Sequence, residues 1–327
     1  MIMISVGLLL SLIICLLLGI PYIDFLKKKS IGQYIRDVAP EAHAKKAGTP
    51  TTGGVFIIIS IFVSSIIILM MAQKLNSTTW TILLTMLFFA LAGFQDDYLK
   101  IIGKENKGLS ARGKLLRQIA IAMIPAIYVT YVYGTSISFG YFSIDLGYLY
   151  PLLAVFIITG ASNAYNLTDG LDGLAASCGI PAFLGCMAIA LVSGRISIAI
   201  ISAVTVGALI GFLKYNKPKA EVFMGDTGSL AIGGLLGTLA VVGKFEIYLA
   251  FLAGIFVIET LSVIMQVSSF KLTGKRIFKM TPIHHHFELL GWSEKKIVIN
   301  FALFSLFCSA LAVGMFVVFY LGLVRSV

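Results

Sequence analysis

The chain has 327 residues, of which 58% are hydrophobic and only 12% charged. That balance leaves too little polar surface for a water-soluble domain of this length and marks an integral membrane protein. The net charge of +10 is accounted for by where the basic residues fall relative to the membrane, so no nucleic-acid partner is needed to explain it.

In chain order, the first apolar run, residues 2–24, lacks both a basic start and an Ala-x-Ala cleavage signal, and reads as a retained first helix. Further runs at 53–73, 78–95, 115–133, 148–165, 173–192, 196–213, 228–243, 247–269 and 297–324 bring the spans to ten. Each approaches the ~20 residues a helix needs to cross roughly 30 Å of hydrocarbon. Their hydrophobicity is continuous and lacks the period-2 alternation of a β-barrel. The predicted fold class is therefore an all-α polytopic membrane protein, with residues 1–327 forming one domain. Between the fourth and fifth spans, Ile137, Phe139 and Tyr141 alternate with small or polar neighbours, which predicts a short hairpin in 134–147. Cys15, Cys178, Cys186 and Cys308 all fall in apolar spans without metal-ligand spacing and read as packing residues. No internal repeat is visible.

Alternate crossings place segments 25–52, 96–114, 166–172, 214–227 and 270–296 on one side. That side carries Lys27, Lys28, Lys29, Arg36, Lys45, Lys46, Lys100, Lys104, Lys107, Arg112, Lys114 and a further run of lysines beyond residue 213, whereas the opposite loops hold little more than Lys74, Arg195 and Lys244. The positive-inside rule makes the first side cytoplasmic and both termini extracytoplasmic.

Carboxylates are scarce, and ionisable groups at membrane depth cost roughly 2.5 to 3.5 kcal/mol each on insertion scales. Five of them nevertheless reach the predicted cytoplasmic face from three connections. Asp96 and Asp97 lie in Gly93-Phe-Gln-Asp-Asp-Tyr-Leu-Lys100, Asp169 and Asp172 in Asn166-Leu-Thr-Asp-Gly-Leu-Asp-Gly-Leu174, and Asp226 in Phe223-Met-Gly-Asp-Thr-Gly-Ser229. Each alone reads equally well as a helix cap or a solvated helix end. Together, three Gly-flanked Asp motifs point to one shared site, since glycine lets backbone approach a ligand closely. Clustered carboxylates need a cation between them, and Mg²⁺ is commonly held by one or two carboxylates plus substrate phosphates. With a lysine rim, in which Lys46 and Lys100 stand out by motif position, this is the chemistry of a diphosphate site.

Two other segments are unusual. Lys45-Lys-Ala-Gly-Thr-Pro-Thr-Thr-Gly-Gly54 leads into the second span without P-loop order; its amides could hold an anion, or it could serve simply as a turn. Met280-Thr-Pro-Ile-His-His-His-Phe-Glu288 places three adjacent imidazoles on diverging directions, which suits hydrogen bonds to phosphate or sugar oxygens better than one zinc ion. Glu259, inside the ninth span, is expected to pair within the bundle or line a groove. A secondary transporter is the alternative of a different class, but its acids would lie near the midplane in repeated halves.

These motifs, in this order from residue 45 to 288, resemble the bacterial phospho-N-acetylmuramoyl-pentapeptide transferases, a branch of the polyprenyl-phosphate N-acetylhexosamine-1-phosphate transferases. The aspartate motifs are common to the superfamily, including the N-acetylglucosamine-1-phosphate transferases; the intact His-His-His-Phe-Glu favours the muramoyl-pentapeptide branch. Thr52 stands where Met is common. The resemblance implies a bacterial plasma-membrane enzyme, homodimeric, that uses Mg²⁺ to transfer phospho-N-acetylmuramoyl-pentapeptide from its UDP derivative to undecaprenyl phosphate, giving lipid I and UMP. It implies Asp226 as metal ligand and Asp96, Asp97 and Lys100 as catalytic alongside it. Asp169, Asp172, Asn216 and Phe223 would hold the nucleotide, and Lys46, Thr51, Asn166, Gln266, His284, His285 and His286 would line the substrate cleft.

Overall fold

A computed structural model describes residues 1–29, 48–103, 108–139 and 142–325. Lys45, Lys46, Arg36, Lys104 and Lys107 lie outside the described residues. Ten of the described helices are long and apolar enough to cross a membrane, as the sequence predicts. They are α1 (Ile2–Lys28), α2 (Gly54–Met71), α3 (Ser77–Gly103), α4 (Ala111–Tyr133), α5 (Tyr150–Thr168), α6 (Leu174–Val192), α7 (Ile196–Asn216), α8 (Gly225–Gly243), α10 (Gly254–Thr273) and α12 (Glu294–Arg325), with short α9 (Glu246–Leu252) and α11 (Ile283–Glu288) between them.

Helix α8 is the axis of the bundle. Its membrane window is 89% buried and that of α7 78%, against 28% for α1 and 22% for α10, which therefore present apolar side chains outward. Small residues make the central position possible. Without a hydrophobic drive between helices in lipid, association relies on close approach and on interhelical hydrogen bonds. Helices α3 and α5 both lie along α8. Ser162 of α5 donates to the Leu230 carbonyl of α8 at 2.9 Å. At Gly93 of α3 any side chain would overlap the backbone carbonyl of Asp226, so the two helices approach closely beside the acidic motifs.

Two boundaries differ from the predicted spans. Helix α3 runs past residue 95 to Gly103 because Tyr98, Leu99, Ile101 and Ile102 continue the apolar pattern without a breaker, which makes Asp96, Asp97 and Lys100 helical residues. The predicted ninth span, 247–269, is broken at Ala253, whose backbone (φ −95°, ψ 21°) separates α9 from α10. Gly254 follows, where a side chain would press on Cys308 of α12. The break lets Glu246 open a separate helix, hydrogen-bonded by the Tyr150 hydroxyl at 2.5 Å and 3.4 Å from the Lys244 ammonium.

The predicted hairpin is present as β1 (Ser136–Phe139) and β2 (Phe142–Asp145), antiparallel with Ser136 opposite Asp145. It closes over the α8–α9 turn: Phe139 packs on Tyr248 at 5.4 Å and the Lys244 ammonium donates to the Gly134 carbonyl at 3.4 Å. All four cysteines are buried and free.

Gly93→Ala is expected to force α3 from α8 and destabilise the protein by about 1–3 kcal/mol, the usual cost of overpacking. A thermal unfolding midpoint in detergent equal to that of the unmodified protein would contradict this account of the crossing.

Candidate active site

The ends of α3 and α5 and the starts of α4 and α8 converge, and there Asp96, Asp97 and Asp226 each offer an oxygen within 4.8 Å of the other two. Asp96 and Asp97 are buried and Asp226 partly so. Three carboxylates this close repel strongly unless cations and donors surround them. The Lys100 ammonium lies 2.6 Å from Asp96 Oδ2 and 3.0 Å from Asp226 Oδ2, and the Lys114 ammonium 2.7 Å from the same Asp226 oxygen. The Asn166 amide donates to Asp226 Oδ1 at 2.8 Å and to Ser229 Oγ at 2.7 Å.

The adjacent aspartates are not equivalent. Successive residues on a helix point about 100° apart, and the two carboxylates reach different neighbours. Asp97 accepts the amides of Asp226 and Thr227 at 3.0 and 2.9 Å and the Thr227 hydroxyl at 2.6 Å, capping the first turn of α8 from outside. Asp96 accepts the Leu109 amide at 2.8 Å and otherwise faces Lys100. Asp97 thus orients the helix that carries Asp226, while Asp96 and Asp226 face one another across an ammonium. A set of hard carboxylate oxygens already bridged by a cationic side chain fits a hard divalent cation such as Mg²⁺; Asp96 and Asp226 are the residues best placed to hold it, with Asp97 third.

Asp169 and Asp172 divide in the same way. Buried Asp172 accepts the Lys219 and Ala220 amides at 3.2 and 3.1 Å, and its own amide donates to Glu294 at 2.7 Å. The next amide, Gly173, donates to Asn216 Oδ1 at 3.0 Å, whose side-chain nitrogen donates to the Val222 carbonyl at 2.9 Å. Asp172 and Asn216 therefore tie the 169–173 loop to the 216–222 connection. Asp169 faces the other carboxylates: desolvation, joined by the charges of Asp226, Asp97 and Asp172, holds its carboxyl well above the usual range.

The Gly/Thr segment meets the Phe223 motif through backbone. Phe223 donates to the Pro50 carbonyl, and the amides of Gly53 and Gly54 donate to the Phe223 and Met224 carbonyls, each at 2.8 Å. Two amides that the sequence offered for an anion are thus taken by the protein itself. Thr51 is buried beside them, and half-buried Phe223 keeps an accessible face.

The histidines are held by partners within the protein. His284, fully buried, places Nδ1 3.0 Å from Glu259, which accounts for the carboxylate in the ninth span. A side chain on Gly170 would overlap the His284 ring, so the Asp169–Asp172 loop rests on that imidazole. His285 pairs with Glu288 at 2.6 Å, and His286 Nδ1 accepts the Lys279 amide at 3.2 Å. Gln266 accepts the Ile277 and Phe278 amides at 2.9 Å and donates to the Phe278 carbonyl at 2.8 Å, which anchors the strand of chain leading to the histidines.

Lys114, Thr227, Ser229 and Glu294 complete this arrangement. In the sequence Lys114 is one of the general lysine rim, and no spacing signal links it to Asp226, 112 positions away. Thr227 and Ser229 sit inside a quoted motif, where only the fold reveals what they hold.

Comparison with known proteins identifies the family. The glycosyl transferase family 4 pattern matches residues 79–244, just over half of the chain, a stretch holding all five motif aspartates but ending before Glu259 and the histidines. The chain is 47% identical over 296 residues to the phospho-N-acetylmuramoyl-pentapeptide-transferase of Bacillus subtilis, covering 90% of this chain and 91% of that protein. It is 46% identical over 299 residues to the protein of the same name from Bacillus licheniformis (88% and 90% covered). With that from Oceanobacillus iheyensis the identity is 44% over 322 residues (94% and 97% covered).

The division between the paired aspartates predicts separable effects. Asp97→Asn removes a charged acceptor of three donors and is expected to lower stability by about 2 kcal/mol or more, read as a depressed unfolding temperature in detergent. Asp96→Asn is expected to leave that temperature within a degree or two of the unmodified protein or raise it, because like-charge repulsion is relieved. Equal depression by both would refute the division.

Proposed function

Because the chain belongs to glycosyl transferase family 4 and, within it, to the phospho-N-acetylmuramoyl-pentapeptide transferases, we propose that it moves phospho-N-acetylmuramoyl-pentapeptide from UDP to undecaprenyl phosphate, producing lipid I and UMP for peptidoglycan. It is a multi-pass protein of the bacterial plasma membrane. The carrying observation is the cluster of Asp96, Asp97 and Asp226 with Lys100 and Lys114 at one end of the bundle. That end carries most of the lysines and arginines, so the positive-inside rule puts it in the cytoplasm, where a UDP-sugar is found, and puts both termini outside. All ten spans serve one transferase unit, and the family resemblance favours a homodimer.

A divalent cation, Mg²⁺ in our reading, would be held by Asp226 and Asp96 and would supply neutralisation of diphosphate charge. The residues of the chain do the rest. Lys100 and Lys114 are placed to take up anionic oxygens as the diphosphate arrives, releasing their contacts with Asp226. Asn166 keeps Asp226 oriented, and Asp97 fixes the first turn of α8. Asp169, Asp172, Asn216 and Phe223 form the nucleotide wall, with Phe223 offering a ring face to uracil. Lys46 and Thr51 border the cleft from the α2 side. Gln266 and His284 to His286 shape its other border, with Glu259 and Gly170 fixing His284.

A phosphate monoester has a second pKa near 6, so the lipid nucleophile is largely ionised at neutral pH and needs little help from a base. Its oxygen attacks the β-phosphorus in line. The bond from the β-phosphorus to the bridging oxygen breaks, and UMP leaves with that oxygen and its electron pair. Asp96 borders this path and positions the lipid phosphate. Asp97, whose oxygens already accept three donors, is poorly disposed to form the acyl-phosphate of a two-step route.

Three measurements test this reading. Asp226→Asn should reduce metal-dependent UMP release to background. Labelled UDP-N-acetylmuramoyl-pentapeptide without lipid should leave no covalent label on the enzyme and support no exchange with UMP; stable labelling at Asp97 would establish the two-step route instead. UDP-N-acetylglucosamine should not replace the muramoyl donor, and equal turnover would assign the chain to the other branch of the superfamily.

A further inference from the structure

Away from the carboxylates, a cavity of about 440 Å³ opens where the starts of α6 and α12 meet the end of α7. Its walls include Leu213 and Val298, with Ile210 and Ile299 on the outward side, 40% and 48% exposed. Lys214, Lys217 and Lys295 border it, and no acidic side chain lines it. The nearest carboxylates along the chain, Asp172 and Glu294, are engaged with loop amides. The cavity lies behind the site described above and shares Gly173 with it.

We infer that this recess binds a diacyl phospholipid with an anionic phosphodiester headgroup. The recess joins two chemistries that few ligands combine. Aliphatic side chains, open toward the hydrocarbon, would cover the upper part of an acyl chain, while three ammonium groups at the same mouth would surround one phosphate. A soluble phosphate would gain nothing from the apolar wall, and a zwitterionic lipid would bring its own cation among the lysines. Positive-inside bias explains lysines at this end of the bundle, but not their grouping around one apolar recess between three helices.

The back of the recess is Gly173, whose amide holds Asn216 and which follows Asp172 directly. A bound lipid therefore packs against the loop bearing Asp169 and Asp172 and steadies it.

Binding is read without reference to turnover, so the result stands apart from the transfer reaction. The purified full chain in detergent is titrated with phosphatidylglycerol, with phosphatidylcholine of the same acyl chains, and with inorganic phosphate, and bound lipid is counted by native mass spectrometry. Phosphatidylglycerol should be retained at least about fivefold over phosphatidylcholine. The triple variant Lys214→Gln, Lys217→Gln, Lys295→Gln should remove that preference; Lys28→Gln, Lys29→Gln, Lys271→Gln, with the same charge change elsewhere, should keep it. Filling the recess by Leu213→Trp, or from a second helix by Ile299→Trp, should lower phosphatidylglycerol retention with all lysines present. The inference falls if wild type retains both lipids equally, if the two lysine triples behave alike, if neither filled variant changes retention, or if millimolar phosphate displaces the lipid.

Discussion

Everything at the lysine-rich end of this bundle depends on keeping three carboxylates within 4.8 Å of one another in an apolar protein. Like charges at that spacing are tolerated only where cations and oriented donors offset their repulsion. The fold meets the requirement by aligning helix ends: the last turns of α3 and the first turn of α8 bring Asp96, Asp97 and Asp226 together, and α4 and α5 deliver Lys114 and Asn166 to the same point. The small residues that let α3 and α8 touch at Gly93 are thus as much part of the site as the acids.

Hydrogen bonds around the carboxylates hold this geometry in place. Asp97 is spent on the start of α8, Asp172 and Asn216 join two loops, and the backbone of Gly53 and Gly54 clasps the chain at Phe223 and Met224. On the far border, buried Glu259 fixes His284, and that ring supports Gly170. Polar side chains that the resemblance would assign to substrate, notably Gln266 and the histidines, each hold another part of the protein. Their influence on a substrate therefore includes setting the shape of the cleft, because a side chain hydrogen-bonded within the protein resists displacement.

The opposite end is held by different means. The hairpin packs through Phe139 on Tyr248, and Lys244, Glu246 and Tyr150 form a compact polar knot where α8 gives way to α9. The lysines and motif aspartates collect at the other end.

Much of this was legible in the sequence, for identifiable reasons. Ten spans and the hairpin follow from hydrophobic length and period-2 alternation, which are local properties of the chain. The motif aspartates stood out because charge is conspicuous in an apolar sequence. Boundaries were less legible: α3 extends through Asp96 and Asp97 because interfacial residues can continue a helix, and the break at Ala253 depends on packing of Gly254 against Cys308. What only the tertiary structure decided was the division of labour among like residues. Asp96 and Asp97 are neighbours with the same chemistry, and so are Asp169 and Asp172; which one faces the other carboxylates and which holds a helix or loop is set by direction and by partners 47 to 130 positions distant. Those relations are fixed when helices pack, and linear spacing does not encode them.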